Sequence, residues 1–126
     1  MARIEGKTDQ APTPLAPYSQ SVRIGTVVAA SGQAGVDPTT GTFASEDVAG
    51  QTEQTFKNIA AVLAASGASL DDVIRVDVYL ADMADFTAMN EEYAKVFARP
   101  YPARTTVGVH LPAGMKVEIT ALAVTQ

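Results

Sequence analysis

The hydrophobic period of this chain switches repeatedly between two and about 3.6 residues, and this switching limits its fold more than any other feature. Residues 18–25 (YSQSVRIG) and 26–33 (TVVAASGQ) read as two strands meeting at Gly25. Before them, residues 1–17 are rich in Pro, Thr and Ala and predict an irregular arm. The segment GVDPTTGTF, 35–43, is dense in turn formers and predicts a loop or hairpin tip. Residues 47–66 then take helical spacing, with Phe56, Ile59, Ala60 and Leu63 in one stripe and Gln54, Lys57 and Asn58 off it. Ser45 or Asp47 suits the N-cap, and Gly67 suits the position after the C-cap.

The second half repeats the pattern. VIRVDVYLA, 73–81, is β-branched and alternating, with Ile74, Val76, Val78 and Leu80 on one face. Asp82 is placed to cap a helix running to about Phe97, whose stripe is Phe86, Met89, Asn90, Tyr93, Val96 and Phe97. Pro100 and Pro102 stop it. Residues 103–110 and 116–125 alternate again as strands, joined by LPAGM. The order ββ-α-β-α-ββ predicts an α+β (α/β) fold: a mixed β-sheet with two helices packed on one face. At 126 residues the chain is expected to form a single domain, 1–126, with one core.

Composition narrows the chemistry. The chain has no cysteine, which excludes disulfides, thiolate nucleophiles and sulfur-ligated zinc and fits a cytoplasmic location. His110 is the only histidine, so a metal site built on two or three histidines is impossible. A hydrolase triad would have to run through that one residue. No apolar run reaches the roughly 18 residues of a membrane-spanning helix, and MARIEGKTDQAPTP lacks the apolar stretch of a secretory signal. The net charge of −5 and a pI near 4.6 argue against nucleic acid as a partner. The expectation is therefore no zinc site built on thiolates or several histidines, no membrane span and no nucleic-acid partner.

Charge is unevenly distributed. Residues 1–92 carry a net −8, whereas residues 93–126 carry Lys95, Arg99, Arg104 and Lys116 against Glu118, a net +3. Either the last third holds a small anion or the two parts neutralise each other in the fold. Strand parity sharpens the first reading. If residues 111–115 turn a hairpin, His110 faces Lys116 and Gly108 faces Glu118. Arg104, Gly108 and Glu118 then share one face, and Val107, Val109, Val117, Ile119 and Ala121 point to the core. Arg104 would lie about 13 Å along the strand from Gly108, which leaves room for a small ligand. The alternative is that Arg104 and Glu118 are solvated strand charges of little consequence.

Other candidates read as structural. His110 is expected to be exposed at a strand end. The adjacent pairs Asp71–Asp72 and Glu91–Glu92 do not share a face and read as solvated charges, not as a metal site. Asn90 is a polar residue on a core stripe, and a structural hydrogen-bond partner is expected for it. Ser31 has no histidine near it in sequence to activate it as a nucleophile.

YPART at 101–105, KVEITALAV at 116–124, APYSQ at 16–20, ASGQ at 30–33 and DFTAMNEEYAKVF at 85–97 follow one another in a specific order. In these segments, and across about Ala11 to Val124, the chain resembles the RidA/YjgF family of reactive-intermediate (enamine/imine) deaminases. The resemblance implies a chorismate-mutase-like (YjgF-type) fold and a homotrimer with clefts between subunits. It implies hydrolysis of 2-enamine or 2-imine acids, of the 2-aminoacrylate or 2-iminopropanoate type, to 2-keto acids and ammonia. By the family motif, Arg104 matches the arginine that binds the substrate carboxylate and Glu118 the glutamate associated with the attacking water. Tyr18 matches the tyrosine that closes the cleft, and Ser31 and Gly32 match the small segment beside the ligand.

The residue chemistry suits those roles. A guanidinium grips a carboxylate through two parallel hydrogen bonds, Glu118 can place or deprotonate water, and the Tyr18 hydroxyl can donate to the leaving nitrogen. An imine carbon is already electrophilic, so neither metal nor cofactor is required. The chain departs from the family pattern at three positions. Thr106 stands where many members have cysteine, which leaves its backbone to the substrate. Ala16 replaces a glycine before Pro-Tyr. Gly108 stands where several relatives have a larger residue, which predicts a roomier pocket. A non-catalytic small-carboxylate-binding or chaperone-like trimer of the same fold is the alternative. Ribonuclease activity, reported for some relatives, fits poorly with the acidic pI.

Overall fold

Two helices lie on one face of a six-stranded sheet in the computed structural model, which describes residues 2–126. In chain order the strands are β1 (Ile4–Gly6), β2 (Ser21–Ile24), β3 (Val27–Ala34), the small ribbon β4 (Val36–Asp37) and β5 (Thr42–Phe43), β6 (Val73–Leu80), β7 (Ala103–Gly108) and β8 (Val117–Val124). Helix α1 (Val48–Ala65) precedes β6 and α2 (Phe86–Val96) follows it. The sheet order is β1-β2-β3-β8-β6-β7, antiparallel throughout except for the parallel pair of β6 and β7. The expected mixed sheet with two helices on one face is present.

Local sequence accounts for the elements. Gly25, at φ +57°, closes the two-residue β2–β3 hairpin, where Ile24 pairs with Val27. Asp47 caps α1, its side chain accepting from the Gly50 backbone N–H at 2.7 Å, and Gly67 at φ +80° terminates the helix. The core lies between sheet and helices. Val28 of β3, Val76, Val78 and Leu80 of β6, and Val117 and Ile119 of β8 pack against Ile59, Val62 and Leu63 of α1 and Met89 of α2. Each such fully buried side chain stabilises the fold by roughly 1.5–3 kcal/mol. Phe56, Tyr93 and Phe97 join the two helices through edge and tilted ring contacts with centroids 4.9–5.8 Å apart.

Several sequence expectations are corrected. The N-terminal arm contains a strand, β1, and is tied down by the buried Gln20, whose amide donates to the carbonyls of Thr8 and Pro12 at 3.0 Å and accepts from the Thr8 N–H at 2.9 Å. Asn58 is fully buried, because its amide donates to the carbonyls of Ala34 and Val36 at 3.0 and 2.9 Å. Ile74 points to solvent and Val73 to the core, because a register shift between Val73 and Arg75 breaks the alternation. Asp82 caps a 3₁₀ turn over Met83–Asp85, and α2 starts only at Phe86.

The largest correction concerns β7. It forms no hairpin with β8; it pairs in parallel with β6, with Val76 beside Arg104, Val78 beside Thr106 and Leu80 beside Gly108. β6, α2 and β7 form a crossover unit, and parallel neighbours need a connection of that length. β8 inserts between β3 and β6, where its core-facing Ile119, Ala121 and Ala123 meet buried neighbours on both sides. Among the described residues no helix is long and apolar enough to cross a membrane.

Candidate functional site

Residues in register on neighbouring strands project from the same face of a sheet. Val76, Val78 and Leu80 are fully buried under the helices. Their β7 neighbours Arg104, Thr106 and Gly108 therefore project on the helix side. Glu118 pairs with Tyr79, between the buried Val117 and Ile119, and projects from the opposite, open face. Val107 belongs to that open face too and is 39% exposed. The expectation that Arg104, Gly108 and Glu118 share a face, with Val107 in the core, is thus overturned. It rested on β7 pairing with β8, whereas β6 lies between them. From strand spacing and rise, the Arg104 and Glu118 backbones are about 14 Å apart, on opposite sides of the sheet.

The Glu118 side is a cleft of about 540 Å³ lined by Tyr18, Gly32 and Glu118 together with Leu15, Val36 and Met115. A register shift between Ala30 and Gln33 forms its floor. This bulge lets Gly32 lie against the Glu118 side chain, where a β-carbon at residue 32 would stand 3.1 Å from Cδ. Ser31 is anchored there: its hydroxyl donates to the Ser19 carbonyl at 2.6 Å and its backbone N–H to the Gln20 carbonyl at 3.0 Å. Those bonds hold the segment carrying Tyr18, whose ring is half exposed at the cleft mouth. Among the described residues Glu118 forms no ion pair.

The Arg104 side is built on α2. The guanidinium carbon lies 4.6 Å from the Tyr93 ring centre and 5.7 Å from that of Phe86. Such contacts hold the cation by its attraction to the ring faces without neutralising it. Arg104 forms no ion pair among the described residues, so its charge is uncompensated inside the chain. Around it, Asn90 Oδ1, Tyr93 Oη and Thr106 Oγ1 are buried atoms with no hydrogen-bond partner. Burial raises the pKa of the Tyr93 phenol and the nearby Arg104 cation partly opposes this, so the hydroxyl stays protonated at neutral pH. Buried polar atoms are almost always paired, so three orphans and an uncompensated cation give this side of the sheet the chemistry to take a polar, anionic group.

Of the sequence-predicted site residues, the structure brings Tyr18, Ser31, Gly32 and Glu118 together, and it brings Arg104 and Thr106 together on the other face. Asn90 lacks the internal partner expected for its carbonyl oxygen. Phe86 and Tyr93, read from sequence as core, flank the arginine. The available signal was the presence of two polar tips, Asn90 and Tyr93, in one helical stripe. Gly108 does not enlarge the pocket as expected, because a β-carbon there would lie 3.0 Å from Met83 Cγ, and the thioether occupies that space. His110 is exposed, as expected.

The comparisons with known proteins agree with this fold. The sequence profile of the Endoribonuclease L-PSP family matches residues 8–125. A RutC family protein of Pyrococcus horikoshii is 47% identical over 117 residues, covering 92% of this chain and 93% of that protein. A 2-iminobutanoate/2-iminopropanoate deaminase of Salmonella typhimurium is 40% identical over 121 residues, covering 93% of this chain and 94% of its own length. The crystal structure of RidA from an Antarctic Psychrobacter superposes with a TM-score of 0.92 at 41% identity, covering 97% of this chain and 99% of that one. With the profile spanning nearly the whole chain and the fold reproduced at this identity, the chain belongs to the Endoribonuclease L-PSP (YjgF/RidA) family.

Proposed function

We propose that this chain hydrolyses reactive 2-enamine and 2-imine acids to 2-keto acids and ammonia, as a homotrimer whose sites lie between subunits. The observation that carries the reading is the division of one chain's chemistry between two faces. A free guanidinium ringed by orphaned polar atoms lies on one, and an unpaired carboxylate in a cleft lies on the other. Neither half is a complete site, and a second copy supplies to each what it lacks. Arg104, Thr106 and Asn90 come from one subunit, and Tyr18, Ser31, Gly32 and Glu118 from its neighbour. The name of the Salmonella relative supports this substrate class.

In the assembled site Arg104 takes the substrate carboxylate through two N–H donors, fixing the direction of C2. Glu118 holds a water against C2 and accepts its proton as the C–O bond forms. Tyr18 donates to the nitrogen, and collapse of the carbinolamine releases ammonia and the 2-keto acid. General acid–base help of this kind is worth roughly 10²–10⁴-fold, which is sufficient for a substrate that also decays unaided in water. The reading requires no cofactor, and a chain without cysteine suits the cytoplasm. The pI near 4.6 disfavours RNA as a substrate.

The test generates 2-iminopropanoate with an amino-acid oxidase and traps it with semicarbazide. The protein is expected to lower the semicarbazone yield, and Arg104→Ala is expected to abolish the effect. Equal yields with and without protein, combined with saturable keto-acid binding, would replace this reading with the non-catalytic carboxylate-binding trimer.

A further inference from the structure

The face that carries Arg104 and Thr106 ends at Gly108, two residues further along the same side of β7. The void left by the glycine is filled from another element. A β-carbon at residue 108 would stand 3.0 Å from Met83 Cγ and 3.5 Å from its Sδ, so the thioether of Met83 is seated on the Gly108 backbone. The backbones on both sides are fixed. Asp82 caps the Met83–Asp85 turn by accepting from the Ala84 N–H at 2.9 Å, and the Val109 N–H donates to the Leu80 carbonyl at 2.9 Å. The Met83 side chain itself is free to move, being 47% exposed. It opens the turn that leads into Phe86, which flanks the Arg104 guanidinium at 5.7 Å. Phe86 beside the cation and Met83 over Gly108 thus form an apolar lip along this side of β7.

We infer that Met83 sets the range of substrate side chains this site accepts. The inference rests on the deaminase reading above. A 2-imino acid has three substituents on C2. The carboxylate is committed to Arg104, and the nitrogen faces the acid–base groups of the neighbouring subunit. The third substituent extends from the carboxylate end along the Met83–Phe86 lip. A methyl group leaves the thioether seated on Gly108, and a longer side chain has to displace it. Methionine is unbranched and has three rotatable side-chain bonds, so the wall yields at a graded cost and does not reject bulk outright. Gly108 and Met83 act as a pair, since the glycine's missing β-carbon is what lets the thioether retract.

The test compares kcat/KM for 4-methyl-2-iminopentanoate and 2-iminopropanoate, made in place from leucine and alanine by an L-amino-acid oxidase. In Met83→Ala the ratio of the larger to the smaller substrate is expected to rise about tenfold, the usual effect of changing apolar pocket volume by a few atoms. In Gly108→Ala the new methyl drives the thioether outward, and the ratio is expected to fall several-fold. Opposite shifts in the two variants cannot come from a general loss of folding. A ratio unchanged within twofold in both variants, with the unaltered protein active on 2-iminopropanoate, overturns the inference and leaves the deaminase reading standing. Failure of the unaltered protein on both imines overturns the two together.

Discussion

The Glu118 carboxylate rests on the backbone of Gly32: a β-carbon at residue 32 would lie 3.1 Å from its Cδ and 3.4 Å from its Oε1. The contact exists because β3 carries a bulge between Ala30 and Gln33 while β8 runs straight past it. Gly32→Ala is expected to fold normally, because the clash falls on the end of a flexible side chain. The displaced carboxylate then holds water off line, and kcat is expected to fall about 10- to 100-fold. Steady-state kinetics together with a thermal melt check both statements, and unchanged kcat would remove Glu118 from the proposed chemistry.

The division of the site between faces predicts complementation. Arg104→Ala and Glu118→Gln are each expected to be inactive. Co-expressed in equal amounts, they are expected to regain about a quarter of the unaltered activity, because random assembly pairs an intact Arg104 with a neighbour's intact Glu118 that often. The trapping assay on the purified mixture reads this out. No recovery in a mixture shown to contain mixed trimers would mean that the two residues do not serve one site.

Tyr93 combines an orphaned hydroxyl with a ring that holds Arg104. Tyr93→Phe keeps the ring and removes an unpaired buried O–H, whose burial costs roughly 1–3 kcal/mol. The ligand-free protein is expected to gain about 1 kcal/mol in denaturant unfolding while pyruvate binds several-fold more weakly. Loss of stability without loss of binding would show that the hydroxyl has a structural partner.

Asp47 caps α1, and its carboxyl is held below the ordinary 3.8 by the Gly50 N–H and the Ser45 hydroxyl. A depressed carboxyl stabilises the fold above its unfolded pKa and loses that contribution as pH falls through its folded value. Asp47→Ala is expected to lower Tm by roughly 2–5 °C at pH 7, and the gap to the unaltered protein should close below about pH 4. Thermal melts from pH 3 to 7 measure it, and a gap independent of pH would remove the charge from the account.

Much of the fold was legible in the sequence. The periods of α1 and of β3, β6 and β8 were plain because each buries one face against a shared core, and burial imposes period on the chain itself. Asp47 and Gly67 marked the ends of α1 through purely local hydrogen bonding and backbone freedom. Short β1 was hidden in a proline-rich arm, because its pairing with β2 and the anchor at Gln20 are contacts made at a distance. The site was legible as a set of residue types. Its arrangement was not: Tyr93 is core, as read, but its ring also holds Arg104, and the unpaired Asn90 beside it in the stripe could not be told from a core position by spacing alone.

The chain's own order of residues thus determined its two helices, its long strands, the absence of thiol chemistry and the presence of one candidate cation and one candidate carboxylate near its end. Only the tertiary structure decided that β7 lies beside β6 and not beside β8, and so that Arg104 and Glu118 face opposite ways. The reason is physical. Side-chain period is a property of one strand, whereas the choice of neighbour depends on how α2 and the buried face of β6 pack. That packing energy is shared among residues far apart in sequence, and no local pattern records it.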